Sequence, residues 1–189
     1  MKSERASLQH RPFLIPLWLT AIAAFAIFSL AVFTIWVLFT ADSTVVIVIR
    51  HAEKDMASPI DPALSAAGEA RAAQLARMFG EAKGAGRLDA IYVSATLRSR
   101  LTATPLAGRL GIVPVVVAAD DAKALARRVL GENSGKRVMV IGHAGTVPAI
   151  VAALSGRSDI PGIDEQDFAT MYVVTVPRIG RANLVRLSY

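Results

Sequence analysis

The stretch Val45-Val46-Ile47-Val48-Ile49-Arg50-His51-Ala52-Glu53-Lys54 decides how the rest of the chain is read. Its first five residues are apolar and β-branched, and a continuous run of that kind suits a strand buried on both faces of a parallel sheet. The run stops at Arg50-His51-Ala52-Glu53-Lys54, so a dense set of titratable side chains is delivered at the carboxyl end of a central strand. Open α/β sheets place their active sites at that edge.

Upstream of this strand, thirty consecutive positions from Pro12 to Ala41 carry no charged residue. A helix needs only about 20 apolar residues to cross the hydrocarbon core. The only tryptophans, Trp18 and Trp36, are eighteen residues apart, roughly 27 Å along a helix and close to the separation of the two membrane interfaces. Phe39-Thr40-Ala41 puts a bulky Phe where a cleavage site wants a small residue, so an uncleaved anchor is expected rather than a signal peptide. Lys2, Arg5 and Arg11, against a lone Glu4, precede the span, and Asp42 follows it. Because basic flanks stay cytoplasmic, residues 1–11 are expected as a cytoplasmic tail and 12–41 as a single-pass anchor in the inner (plasma) membrane. Residues 42–189 then form one catalytic domain outside the cytoplasm, in a bacterium the periplasm.

The chain of 189 residues carries a formal net charge of +6. The tail accounts for +2 of it, which leaves eighteen cations against fourteen anions downstream. With no Lys/Arg run and no basic stretch interleaved with aromatics, nucleic-acid binding is not expected, whereas a mildly positive surface draws anionic substrates. The sequence contains no cysteine, which excludes disulfides, thiol catalysis and zinc–thiolate sites.

From Asp42 onward, strand and helix signals alternate. Ser65 caps an Ala-rich helix running to about Phe79, and the glycine-containing stretch 80–86 ends it. Ala90–Val93 reads as a strand, Thr96–Leu110 as a helix and Val113–Val117 as a strand. Asp120 or Asp121 caps a helix ending near Leu130, Arg137–Ile141 is a strand, and a further helix begins near Thr146. Residues 169–176 and 183–187 read as two strands around the turn 177–180. This alternation of β and α, with apolar rather than alternating strands, predicts an α/β fold: a mainly parallel sheet flanked by helices on both faces, with the last two strands as an antiparallel edge hairpin.

His51 and His143 each follow a β-branched run by one or two positions, as VVIVIR-H and RVMVIG-H. In a parallel sheet both lie at the same edge, where their rings can converge. Three further segments accompany them: Asp61-Pro62-x-Leu64-Ser65-x-x-Gly68-x-x-Arg71-Ala72; Ser94-x-x-x-Arg98-Ser99-x-x-Thr102-Ala103-x-Pro105-Leu106-Ala107; and Gly142-His143-x-x-Thr146-Val147-Pro148. Together these resemble the histidine phosphatase (phosphoglycerate-mutase-like) superfamily over residues 44–155, in its small Arg-His-Ala-Glu-Lys form. Ala52 stands where many members have Gly, and Ala144-Gly145 where many have Ser-Asn. Both departures leave the charges intact and bear on substrate preference rather than on chemistry.

The residue types suit phosphoryl transfer, which asks for cations around the equatorial oxygens more than for covalent chemistry from the protein. Arg50 and Arg98 can each offer a planar fork of donors; His143, if protonated, adds a third cationic donor; His51, neutral, is free to attack phosphorus and form a phosphohistidine that water hydrolyses. The resemblance implies the same roles for these four residues. Glu53 is the preferred general acid, with pairing to Lys54 or Arg71 as its rival role; Glu132 and Asp120 are the other candidate carboxylates. The reading is a phosphatase without metal or other cofactor acting on a phosphorylated small molecule, glycan or protein. The alternatives are mutase-type phosphoryl transfer, for which the chain lacks long closing insertions, and an inactive membrane-tethered phosphate-binding module, which predicts loss of one of the four pocket residues. A zinc hydrolase needs three or more His/Asp/Glu ligands, and two histidines flanked by arginines repel a cation.

Overall fold

A computed structural model of the chain describes residues 17–39, 42–57, 60–81, 86–118 and 120–189. The chain divides into two units at residues 40 and 41. The basic tail expected at residues 1–11 lies outside the described residues, as do both ends of the expected anchor.

The first unit contributes one helix, α1 (Leu17–Phe39). Its stretch Trp18–Val37 is long and apolar enough to cross a membrane, and none of it is buried. Both faces of this candidate span are apolar and exposed.

The second unit runs β1 (Thr44–Arg50), α2 (Ala66–Gly80), β2 (Ala90–Ser94), α3 (Leu97–Leu110), β3 (Val115–Val117), α4 (Ala122–Glu132), β4 (Arg137–Gly142), α5 (Val147–Ser155), β5 (Thr170–Val176) and β6 (Asn183–Ser188). Its six strands form one sheet in the order β3-β2-β4-β1-β5-β6. The first four in that order are parallel, while β5 runs antiparallel to β1 and β6 antiparallel to β5. The expected hairpin is present, and through β5 it extends the sheet beside the central strand rather than standing apart.

Alternation along β1 explains why the sheet is covered twice. Val46 and Val48 point into one core with residues of α4 and α5, and Ile47 and Ile49 into another with residues of α2 and α3. Both faces are therefore apolar, as the unbroken Val/Ile run requires. The strand expected over Val113–Val117 begins two residues late: Pro114 has no N–H for the ladder, and Val113 is exposed at this sheet edge. Helix α4 continues through Gly131 to Glu132, past the expected end, because the Asn133 side chain donates to the Val129 carbonyl at 3.1 Å and closes the last turn.

Candidate active site

Register brings the histidines together. Arg50 on β1 lies opposite Gly142 on the parallel neighbour β4, and His51 N donates to Gly142 O at 2.9 Å. The residues that follow, His51 and His143, have ring centroids 5.1 Å apart at 64°. Strand β2 flanks β4 on its other side; Ser94 stands at its carboxyl end, and α3, which starts three residues later, presents Arg98 from its first turn.

Two contacts fix α3 against the first motif. Thr96, its N-cap residue, makes no side-chain cap bond; the orphan N–H of Leu97 instead donates to the Asp61 carboxylate at 2.9 and 3.1 Å. Asp61 delivers that carboxylate from a left-handed backbone conformation with φ 44°, which Asp tolerates better than most residues. Thr102 Oγ1 accepts from Ala52 N at 3.0 Å and donates to Arg98 O at 2.7 Å, tying the residue after His51 to the helix that carries Arg98.

His51 is 3 % exposed. Its Nδ1 lies 2.8 Å from the Ala52 carbonyl, and a carbonyl only accepts, so Nδ1 carries the proton and the lone pair is on Nε2. Arg98 Nε donates to that Nε2 at 3.1 Å. Burial pulls the imidazole pKa down, the Ala52 bond opposes this, and Arg98, His143 and Arg50 lower it further, to about 4. His51 is therefore a neutral base at neutral pH. Ser94 Oγ donates to Ser99 Oγ at 2.8 Å, which leaves it to accept from His143 Nε2 at 2.9 Å; His143 Nδ1 then lies 3.5 Å from Arg98 Nη2. Burial, with Arg98 and Arg50, lowers the His143 pKa too, so without an anion this ring is neutral rather than the cation expected in a loaded pocket.

Arg50 is as buried as His51. Its Nη1 donates to the backbone carbonyls of Asp164, Glu165 and Asp167 at 3.1, 2.6 and 3.3 Å, and its guanidinium sits 4.0 Å over the Phe168 ring. That ring lies 6.2 Å from His51. The Nε of Arg50 is buried without a hydrogen-bond partner among the described residues, a donor held ready at considerable cost.

Glu53 takes the rival role. Its oxygens accept from Arg71 Nε at 2.9 and 3.0 Å and from Nη2 at 2.7 Å. Burial alone would raise its pKa, but the Arg71 bonds outweigh that and hold the carboxyl below its ordinary value. In this arrangement the carboxylate is ionised and paired with Arg71. Glu132 is committed elsewhere, accepting from Tyr92 Oη at 2.8 Å and Arg128 Nε at 2.9 Å, and Asp120 immediately precedes Asp121, the N-cap of α4.

The structure thus unites Arg50, His51, Arg98 and His143. Sequence reading missed the wall formed by residues 164–168, whose backbone carbonyls leave no mark in the side-chain pattern, and the part of Ser94, although that residue stands in a quoted motif.

Residues 46–122 match the family model of the histidine phosphatase superfamily (branch 1). Among solved structures, the protein histidine phosphatase SixA complexed with tungstate is 19 % identical, with 76 % of this chain and 96 % of that one covered at a TM-score of 0.61. A mycobacterial glucosyl-3-phosphoglycerate phosphatase is 16 % identical, with 75 % and 97 % covered at 0.58. The phosphoserine phosphatase of Entamoeba histolytica in complex with 3-phosphoglyceric acid is 16 % identical, with 77 % and 97 % covered at 0.59. No curated protein sequence matches the chain.

Proposed function

We propose that this chain, whose residues 46–122 match the histidine phosphatase family model, is a member of that superfamily and a membrane-anchored phosphatase that hydrolyses a phosphomonoester through a phosphohistidine on His51. The observation that carries the reading is the state of His51: neutral, its proton fixed on Nδ1 by Ala52 O, and its Nε2 lone pair turned to Arg98.

In the first step Nε2 bonds to phosphorus and the bond from phosphorus to the leaving oxygen breaks. Arg98 and the free donors of Arg50 hold the equatorial oxygens. A bound dianion adds opposite charge beside His143 and raises its pKa, so the ring takes up a proton on Nδ1 and becomes the third cationic donor. In the second step water attacks phosphorus, the P–N bond breaks and inorganic phosphate leaves. With Glu53 held by Arg71, the leaving oxygen takes its proton from water, and good leaving groups such as aryl oxides turn over fastest. Glu53 acts as a positioning residue, its backbone carbonyl accepting from Ser65 N at 2.9 Å just behind the nucleophile.

The retention of all four pocket residues favours an enzyme over an inactive binding module. The activities named for the structural relatives, on a protein histidine, a glucosylated phosphoglycerate and a phosphoserine, reach across phosphorylated proteins, glycosylated metabolites and small molecules, and the substrate of this chain falls within those classes. Helix α1 serves as the anchor, with the tail cytoplasmic and the catalytic unit outside the cytoplasm.

The test is hydrolysis of 4-nitrophenyl phosphate by the full chain in detergent with chelator present. Activity should survive chelation and fall by at least about 10³-fold in His51→Ala, as loss of a nucleophile does elsewhere. Activity that needs added metal, or persists in His51→Ala, would sink the reading.

A further inference from the structure

The two arginines of the pocket share a feature that phosphate binding does not require. Arg50 Nη2 lies 3.9 Å from Glu165 Oε2, and Arg98 Nη1 lies 3.9 Å from Asp61 Oδ1. Both distances exceed a hydrogen bond, so neither carboxylate closes on its guanidinium. Both remain open to solvent, with side-chain exposures of 86 % for Glu165 and 45 % for Asp61. They come from different segments, Asp61 from the loop between β1 and α2 and Glu165 from the stretch between α5 and β5. The charges of Asp164 and Asp167 also act on Arg50. The pocket therefore has a cationic floor, with the unpartnered Arg50 Nε buried in it, and an anionic rim.

Resting on the phosphatase reading of that floor, we infer that Glu165 and Asp61 determine specificity. They admit phosphomonoesters whose alcohol part is neutral or carries a cation close to the phosphate, as in an amino-alcohol or amino-sugar phosphate. They disfavour esters with a second anion there, a carboxylate or a further phosphate. A phosphoryl group that reaches the floor is surrounded by Arg50, Arg98 and the histidines and overcomes the rim. A second negative charge two or three bonds away stays at rim level and meets like charge in a partly desolvated setting, where repulsion is weakly screened.

The test uses two non-hydrolysable ligands matched in length, 2-aminoethylphosphonate and 3-phosphonopropionate, titrated calorimetrically into the full chain in detergent. The ammonium ligand should bind at least about tenfold tighter, and Glu165→Gln should narrow that ratio at least about threefold. Glu165→Lys should narrow it further. The Glu165 side chain is exposed, and its backbone carbonyl, the one bonded to Arg50, survives all three sequences. Equal affinity for the two ligands, or a ratio unchanged in both variants, overturns the inference and leaves the phosphatase reading standing if aryl phosphate is still hydrolysed. The predicted ratio without aryl phosphate turnover overturns the phosphatase reading alone. Failure of both phosphonates to bind overturns the inference, and overturns the phosphatase reading with it if aryl phosphate is not hydrolysed either.

Discussion

The proposed attack on phosphorus needs a histidine that is neutral at the working pH, and at His51 burial achieves this, helped by the neighbouring cations Arg98 and Arg50. The same shift ties stability to acidity. The folded-state pKa, about 4, lies below the ordinary value of 6.5, so the unfolded chain binds the proton more readily between them. The stability of the neutral ring is fully present above about pH 6.5 and is lost progressively as pH falls from there through about 4. From this residue alone the unfolding free energy should drop by about 2 kcal/mol between pH 7 and pH 5. Denaturant melts at the two values would show it, and His51→Gln should flatten the difference; an equal drop in the variant would contradict the assignment. The four pocket residues were legible because each stands at the end of a strand, directly beyond one, or in the first turn of the helix after one. The fate of Glu53 was not, since a carboxylate two residues past the nucleophile reads the same whether it faces substrate or a guanidinium eighteen positions away.

At the scale of elements, α2 is clamped to the segment that follows His51. Ser65 N donates to Glu53 O, and Gly68 packs so closely that a Cβ there would collide with that same carbonyl. Alanine ordinarily stabilises a helix by about 1 kcal/mol over glycine. Here the collision reverses the sign, and Gly68→Ala should destabilise the domain by about 1–3 kcal/mol, as overpacking does. A thermal melt should register a fall of several degrees; an unchanged or raised midpoint would mean that the clamp is loose. Sequence patterning located these elements within a few residues because the cap at Ser65 and the apolar runs act locally. It did not reveal that α3 is capped from outside by Asp61, a contact between residues thirty-six positions apart that only the folded sheet creates.

At the scale of the whole chain, β1 (Thr44–Arg50) begins at the end of the sheet opposite the one that bears His51, so Asp42 and the candidate site lie at opposite ends of that strand. The proposed topology puts Ser3 and Ser158 on opposite sides of the membrane. Because the sequence contains no cysteine, single substitutions report directly: an impermeant maleimide offered from the outside should label Ser158→Cys and not Ser3→Cys, and the reverse pattern would invert the topology. The strand order was readable from the sequence only in part, since the position of β5 beside β1 depends on long-range pairing that no local signal encodes. The proposed mechanism requires a covalent intermediate at one nitrogen. The most direct measurement is to quench the full chain during turnover of a phosphorus-labelled aryl phosphate and map the retained label by mass spectrometry under alkaline conditions, where a phosphoramidate survives. Label on His51, absent in His51→Ala, is the predicted result; label on another residue, or none while phosphate is being released, would contradict the mechanism.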